Sequence, residues 1–161
     1  MRSRNKIQLN APAGNLLSLI AAVDAGADSV YIGFKSPTNL RNLPGLNFSL
    51  TEAVEAVDYA HQRTTRVHVT VNTYPTDHQL KECFRTVDNA DEVGADAVIV
   101  ANLAVLEYVR DRHPNLDVHL SCIVGAADSA VGRWLQTPRS LPVRPVFLVP
   151  WLLHFVSKID F

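Results

Sequence analysis

Two histidines, His68 and His119, alternate with apolar residues in the runs VHVTVNT (67–73) and DVHLS (117–121). Imidazole changes charge near neutral pH, so a His on an inward-facing strand position is suited to proton transfer or to polar substrate contact. Side chains alternate across an extended strand. If Val67, Val69 and Val71 face one layer, then His68, Thr70 and Asn72 face the other. The same alternation groups His119 with Ser121, Gln8 with Asn10, and sets Tyr31 apart from Val30 and Ile32. One convergent polar set results: Gln8, Asn10, Tyr31, His68, Thr70, Asn72, His119 and Ser121. The catalytic candidates within it are His68, His119 and Ser121. Ser121 lacks the G-x-S-x-G context of an activated nucleophile. Polar residues that point into a barrel also fill its layers by bonding one another, and that role competes for both histidines.

Further binding candidates lie in turns. Pro12 and Gly14 follow the first strand in LNAPAGN (9–15). Lys35, Arg41 and Asn47 lie in the long segment after the second strand, where a cation pair can hold carboxylates. The substrate-binding set is therefore Asn10, Pro12, Gly14, Tyr31, Lys35, Arg41, Asn47 and Asn72. No metal site is read. Cys83 and Cys122 are the only two cysteines and have no CxxC spacing, and the histidine pair has no evident third ligand.

The elements that must carry these residues alternate strand and helix. Strands are expected at 7–10, 29–33, 66–72, 97–101 and 116–121. Helices are expected at about 15–25, from Ser49, from near Asp77 and at about 103–112. Ser49 followed by Glu52 is a capping box, Asn15 can cap the first helix, and Gly26 suits a helix C-terminus. DAGADSVYIG (24–33) and EVGADAVIVA (92–101) repeat a G-A-D turn between a helix end and a buried strand. Such repeats suit a (β/α) barrel, with a doubly wound sheet as competitor. The first turn is not GxGxxG, so a dinucleotide fold gains nothing from it.

Of the 161 residues, 47% are hydrophobic and 19% charged, with a net charge of -1. These values fit one globular domain, and nothing in the net charge indicates a nucleic acid or an anionic membrane as partner. The start lacks a long apolar stretch, and the longest apolar run, 146–156, is too short to span a bilayer. The expectation is a soluble, cytoplasmic chain with access to a small-molecule substrate. Composition changes after Gly132: no Gly follows, and four of the nine Pro lie between 138 and 150. The expected division is 1–135, the N-terminal part of a (β/α) barrel, and 136–161, a divergent tail with a sixth strand near 145–149 and a helix start at Trp151–Ile159. Five to six β/α units make an incomplete barrel.

APAGN (11–15), GADSVYIGFK (26–35), TNLRNLPGLNFS (38–49), VHVTVNT (67–73) and GADAVIVANLAVLEYVRDRHPNLDVHLS (94–121) together resemble the N-terminal part of the collagenase-like peptidases of unknown catalytic type. Within that family the chain is most similar to the UbiU-like branch. The resemblance implies a TIM-barrel-like fold, oxygen-independent hydroxylation in ubiquinone biosynthesis, and a UbiV-like protein as heterodimer partner. It also implies a [4Fe-4S] cluster on four cysteines in full-length relatives; this chain alone has no such set. Other relatives modify RNA or are described as peptidases. Asn102 stands where the family usually has Asp. Cys122, Ile123, Ala127 and Asp128 stand where it has Gln and then a T-N pair. The expectation is a truncated or frame-altered UbiU-like chain, inactive alone. A peptidase and a non-catalytic assembly fragment are the competing readings.

Overall fold

The computed structural model describes residues 8–121, 144–146 and 155–156. Five strands, β1 (Gln8–Pro12), β2 (Ser29–Ile32), β3 (Arg66–Val71), β4 (Ala97–Val100) and β5 (Asp117–Ser121), alternate with four helices. These are α1 (Leu16–Asp24), α2 (Leu50–His61), α3 (Asp77–Glu92) and α4 (Leu103–Arg112). All five strands are parallel, and each pairs with its neighbour in the chain. A doubly wound sheet would reverse its strand order at a switch point. This one does not reverse, so it winds in a single direction, as a (β/α) barrel does. β6 (Arg144–Val146) extends the sheet in parallel beyond β5, and β7 (Phe155–Val156) runs antiparallel to β1. No helix among the described residues is long and apolar enough to cross a membrane.

The alternation read from the sequence decides which face meets the helices. Val30, Ile32, Val67, Val69, Val71, Val98, Val100, Val118 and Leu120 join the helix-side core, with Leu19, Val57, Val87 and Val105 from the four helices. The register aligns Tyr31 with His68, His68 with Ala97, and Ile99 with His119 on the opposite, inner face. Each helix start follows its local chemistry. Asn15 Oδ1 accepts from Ser18 N at 2.9 Å, and Ser49 and Glu52 form the expected box. Asn102 Oδ1 accepts from Ala104 N at 2.8 Å, so the Asn in the place of the family's Asp caps α4.

The G-A-D repeat is a strand-fastening device. Gly26 and Gly94 have φ of +87° and +79°, which ends each helix in the left-handed region. The Asp two residues later then grips the preceding strand with backbone and side chain. Asp28 N donates to Leu9 O at 2.9 Å and Leu9 N to Asp28 Oδ2 at 2.8 Å. Asp96 N donates to Val67 O at 2.9 Å and Val67 N to Asp96 Oδ2 at 2.7 Å.

Two expectations are corrected. The first strand does not stop at Asn10. Ala11 and Pro12 keep parallel register with Val30 and Tyr31, because proline's fixed φ is compatible with extended backbone. The helix expected from Trp151 gives way, at Phe155–Val156, to strand β7: the unpaired edge of β1 offers backbone partners there. The remainder of that helix, and most of the expected tail 136–161, lie outside the described residues, as does Cys122.

Candidate functional site

A cavity of about 280 Å³ opens at the C-terminal ends of β1, β2 and β3. Its walls are Pro12 at the end of β1 with Ala13 and Gly14 after it, Tyr31 and Ile32 of β2, Thr70 of β3, and Gly33, Asn39, Arg41, Leu46 and Asn47 of the long connection 33–49. That connection has almost no regular structure, yet its shape is fixed by amides. Asn39 Nδ2 donates to Asn47 Oδ1 at 2.7 Å, Asn47 Nδ2 to Arg41 O at 2.8 Å, and Arg41 N to Asn39 Oδ1 at 3.1 Å. Asn47 N donates to Gly14 O at 2.6 Å, which ties the connection to the first turn. Asn47 adopts φ +76°, a conformation Asn tolerates better than most residues. A Cβ on Gly33 would lie 2.0 Å from Asn39 Nδ2, so glycine there is what lets the amide knot close over the strand.

With the two Asn side chains used inside the knot, Arg41 and Tyr31 are the polar pair that faces the cavity. The Arg41 guanidinium hydrogen-bonds the Tyr31 hydroxyl. Burial pushes the Tyr31 phenol up, and the Arg41 charge opposes that shift. The Thr70 hydroxyl donates to Ile32 O at 3.0 Å, which leaves its methyl for packing. The remaining lining is mostly apolar. The arrangement suits one small ring that presents an acceptor to Arg41 and Tyr31.

Of the residues proposed from sequence, Pro12, Gly14, Tyr31, Arg41 and Asn47 meet at this cavity. Lys35 does not. Its ammonium lies 2.8 Å from Glu52 Oε2 on the surface, and with the Ser49 groups it holds the Glu52 carboxyl down to about 2. Asn72 supports the site from outside: its Oδ1 accepts from Leu40 N at 3.2 Å and its N–H donates to Thr38 O at 3.1 Å. Asn10 lies deeper than expected. Extension of β1 to Pro12 puts it in the row of Ser29, one layer below Tyr31, where its Oδ1 is buried with no hydrogen-bond partner. Sequence reading missed Asn39, Leu46, Ala13, Ile32 and Gly33. The TNLRN string held the signal for Asn39, since paired Asn in an irregular segment commonly bond the backbone nearby.

His68, His119 and Ser121 form a second group on the inner face, apart from the lining of the cavity. All three are buried. The two imidazole rings meet edge to face with centroids 4.5 Å apart. Ala97, aligned with His68 on the strand between them, presents only a methyl group to this contact. Among the described residues no three His, Cys, Asp or Glu are placed to hold a metal ion. Cys83 is packed in the helix layer, where burial pushes its thiol up.

Known proteins are similar to most of this chain. A tRNA hydroxylation protein P of Helicobacter pylori is 38% identical over 117 residues, which is 73% of this chain and 28% of that protein. A 23S rRNA 5-hydroxycytidine synthase of Escherichia coli is 31% identical over 122 residues, covering 74% of this chain and 17% of that one. The chain thus spans under a third of these relatives. Among solved structures, a U32 peptidase superposes with a TM-score of 0.61 at 18% identity, over 77% of this chain and 52% of that one, a likeness of fold. Residues 14–139 match the profile of peptidase family U32, and the chain belongs to that family.

Proposed function

We propose that this chain forms the substrate-binding half-barrel of an RNA hydroxylation protein, and that the cavity at the ends of β1–β3 receives the ring to be hydroxylated. The observation that carries the reading is the Arg41–Tyr31 pair facing an otherwise largely apolar space of about 280 Å³. A planar ring fits the apolar walls, and a ring oxygen or nitrogen can accept from Arg41 and Tyr31. The names of the similar RNA hydroxylation proteins favour a nucleobase over other rings. The same walls suit the aromatic ring of a ubiquinone precursor, which is the second reading.

Four cysteines for a [4Fe-4S] cluster do not fit these residues: Cys83 is buried in the helix layer, and the sequence has only one other cysteine. No step is therefore routed through a cluster held here. In this reading any such group, and a UbiV-like partner subunit, belong outside this chain. The chain's own part is to bind and orient the ring. The peptidase alternative needs an approachable nucleophile with a base beside it, and Ser121 is fully buried.

Deleting the gene in its host tests the reading. Hydroxylated nucleosides in tRNA and rRNA, and hydroxylated quinone precursors in lipid extracts, are measured by mass spectrometry. Loss of a hydroxylated nucleoside is expected, restored by the native gene and not by Arg41→Ala. Loss confined to the quinone precursors selects the second reading. Unchanged RNA and lipids reject both.

A further inference from the structure

The connections at the C-terminal end of the sheet share a charge pattern that the net charge hides. Segments 33–49, 72–76 and 101–103 contain Lys35 and Arg41 and no Asp or Glu. The opposite end carries Asp24, Asp28, Glu92, Asp96 and Asp117 in or beside its turns, with Arg63 and Arg66 paired to three of them. Acidic groups nearest the mouth are Glu52, neutralised by Lys35, and Asp77 at the start of α3. On these connections Leu40, Leu43 and Tyr74 are 53%, 58% and 59% exposed, and Arg41, which lines the cavity, lies between the two leucines in sequence. These side chains come from two connections that are bolted together. Leu40 N donates to Asn72 Oδ1 at 3.2 Å, Asn72 N to Thr38 O at 3.1 Å, and Thr73 Oγ1 to Thr38 O at 3.3 Å. An exposed aromatic ring and two exposed aliphatic side chains thus sit on two connections tied together by hydrogen bonds, one of which also supplies Arg41 to the cavity.

We infer that the rim these two connections form is the seat of a single-stranded RNA loop, with Tyr74 as the stacking platform for a nucleotide that flanks the ring held by Arg41 in the cavity. The inference rests on the RNA reading above. Unpaired bases stack on aromatic rings and on guanidinium planes, and a protein that reads loops needs such surfaces more than a broad basic face. The acid-free mouth matters as much as its cations, since a carboxylate beside a phosphate repels it. Leu40 and Leu43 supply apolar contact for base faces. A duplex, whose bases are already stacked, gains nothing from this rim.

Fluorescence anisotropy with the full chain tests it, using an oligouridine, a hairpin with an unpaired loop and a fully paired duplex. Single-stranded and loop probes should bind more tightly than the duplex. Tyr74→Ala should weaken them by about tenfold, Tyr74→Phe by little, and Leu43→Asp should remove most binding at low salt. Leu17→Ala, on an exposed position of α1, serves as the control for surface substitution. Thermal melts verify that each variant is folded. Equal binding of Tyr74→Ala and wild type, or equal binding of duplex and loop, overturns the inference. Rim variants that bind RNA normally but dissociate a protein complex overturn it in favour of protein docking. The gene-deletion measurement stands apart: hydroxylated nucleosides restored in full by Tyr74→Ala and by Leu43→Asp sink the rim while the RNA reading survives. If no nucleoside depends on the gene, the RNA reading itself has failed.

Discussion

At the N-terminal end of the sheet, short turns are fastened by carboxylates; at the C-terminal end, the longest connection is fastened by neutral amides. Asp96 alone receives Val67 N at 2.7 Å and His61 Nε2 at 2.9 Å, with Arg66 Nε at 3.8 Å, and Arg66 reaches on to Asp117 at 2.7 Å. Asn39, Asn47 and Asn72 do the equivalent work at the mouth without charge. Charged fasteners satisfy one another and leave little field for a ligand. Amide fasteners hold a shape and leave Arg41, a cation that carries no carboxylate of its own among the described ion pairs, beside the cavity. The difference separates the end that holds the fold from the end where the proposed ligand would sit, as in barrels generally.

Each end can be attacked separately. The largest loss of stability is expected from Asp96→Ala. It strands the buried Val67 N–H and should cost about 2–3 kcal/mol in urea unfolding. Asp28→Ala, its repeat partner, should cost less, about 1 kcal/mol, because Leu9 is 43% exposed and water can replace the lost acceptor. A loss at Asp28 equal to that at Asp96 would show that burial does not set the difference. Gly33→Ala comes next: its methyl must displace Asn39, at a cost of about 1–3 kcal/mol, and the proposed RNA binding should fall with the cavity. Normal binding by a stable Gly33→Ala protein would remove the amide knot from the site.

His113 tests charge at the lower end. Its Nε2 lies 2.8 Å from Asp88 and its Nδ1 2.9 Å from Asp91, while the Tyr108 hydroxyl donates to the same Asp88 oxygen at 2.8 Å. Burial lowers the imidazole pKa, but the hydrogen bonds and charges of the two carboxylates together raise it above its ordinary value. A raised folded-state pKa contributes stability that is complete below the unfolded value, about 6.5, and fades as pH climbs through the folded one. Thermal melts at pH 6 and pH 9 should therefore differ more for the native chain than for His113→Gln. The smallest effect on stability is expected at the mouth. Arg41→Ala should change unfolding by under about 0.5 kcal/mol, yet raise the Tyr31 phenol further, seen by ultraviolet titration, and abolish the proposed RNA binding. A large stability loss there would make Arg41 a fastener and erase the contrast between the ends.

Much of the fold is legible in single strings. VHVTVNT and DVHLS assign their faces correctly, since a period of two admits only one way to bury the valines and leucines. Ser49-x-x-Glu52 and Asn15 place helix starts because those interactions close within a few residues. The failures involve partners distant in sequence. Lys35 reads as a ligand-binding cation, but Glu52 of α2 folds back to it. Asn47 reads the same way, but its amide is spent on Asn39 and Arg41. Asn10 reads as a strand end, but pairing with β2 carries β1 on to Pro12. The run from Trp151 reads as a helix start, while the open edge of β1 draws Phe155–Val156 into a strand.

The sequence by itself determined the order of elements, the apolar face of each strand and the caps, because these depend on periodicity and on bonds between near neighbours. Tertiary structure alone decided that Arg41 meets Tyr31 over a cavity, that hydrogen bonds tie the connections 33–49 and 72–76 together, and that charge collects at one end of the sheet. Those outcomes require residues tens of positions apart to arrive at the same place, and only the winding of consecutive parallel strands brings them there.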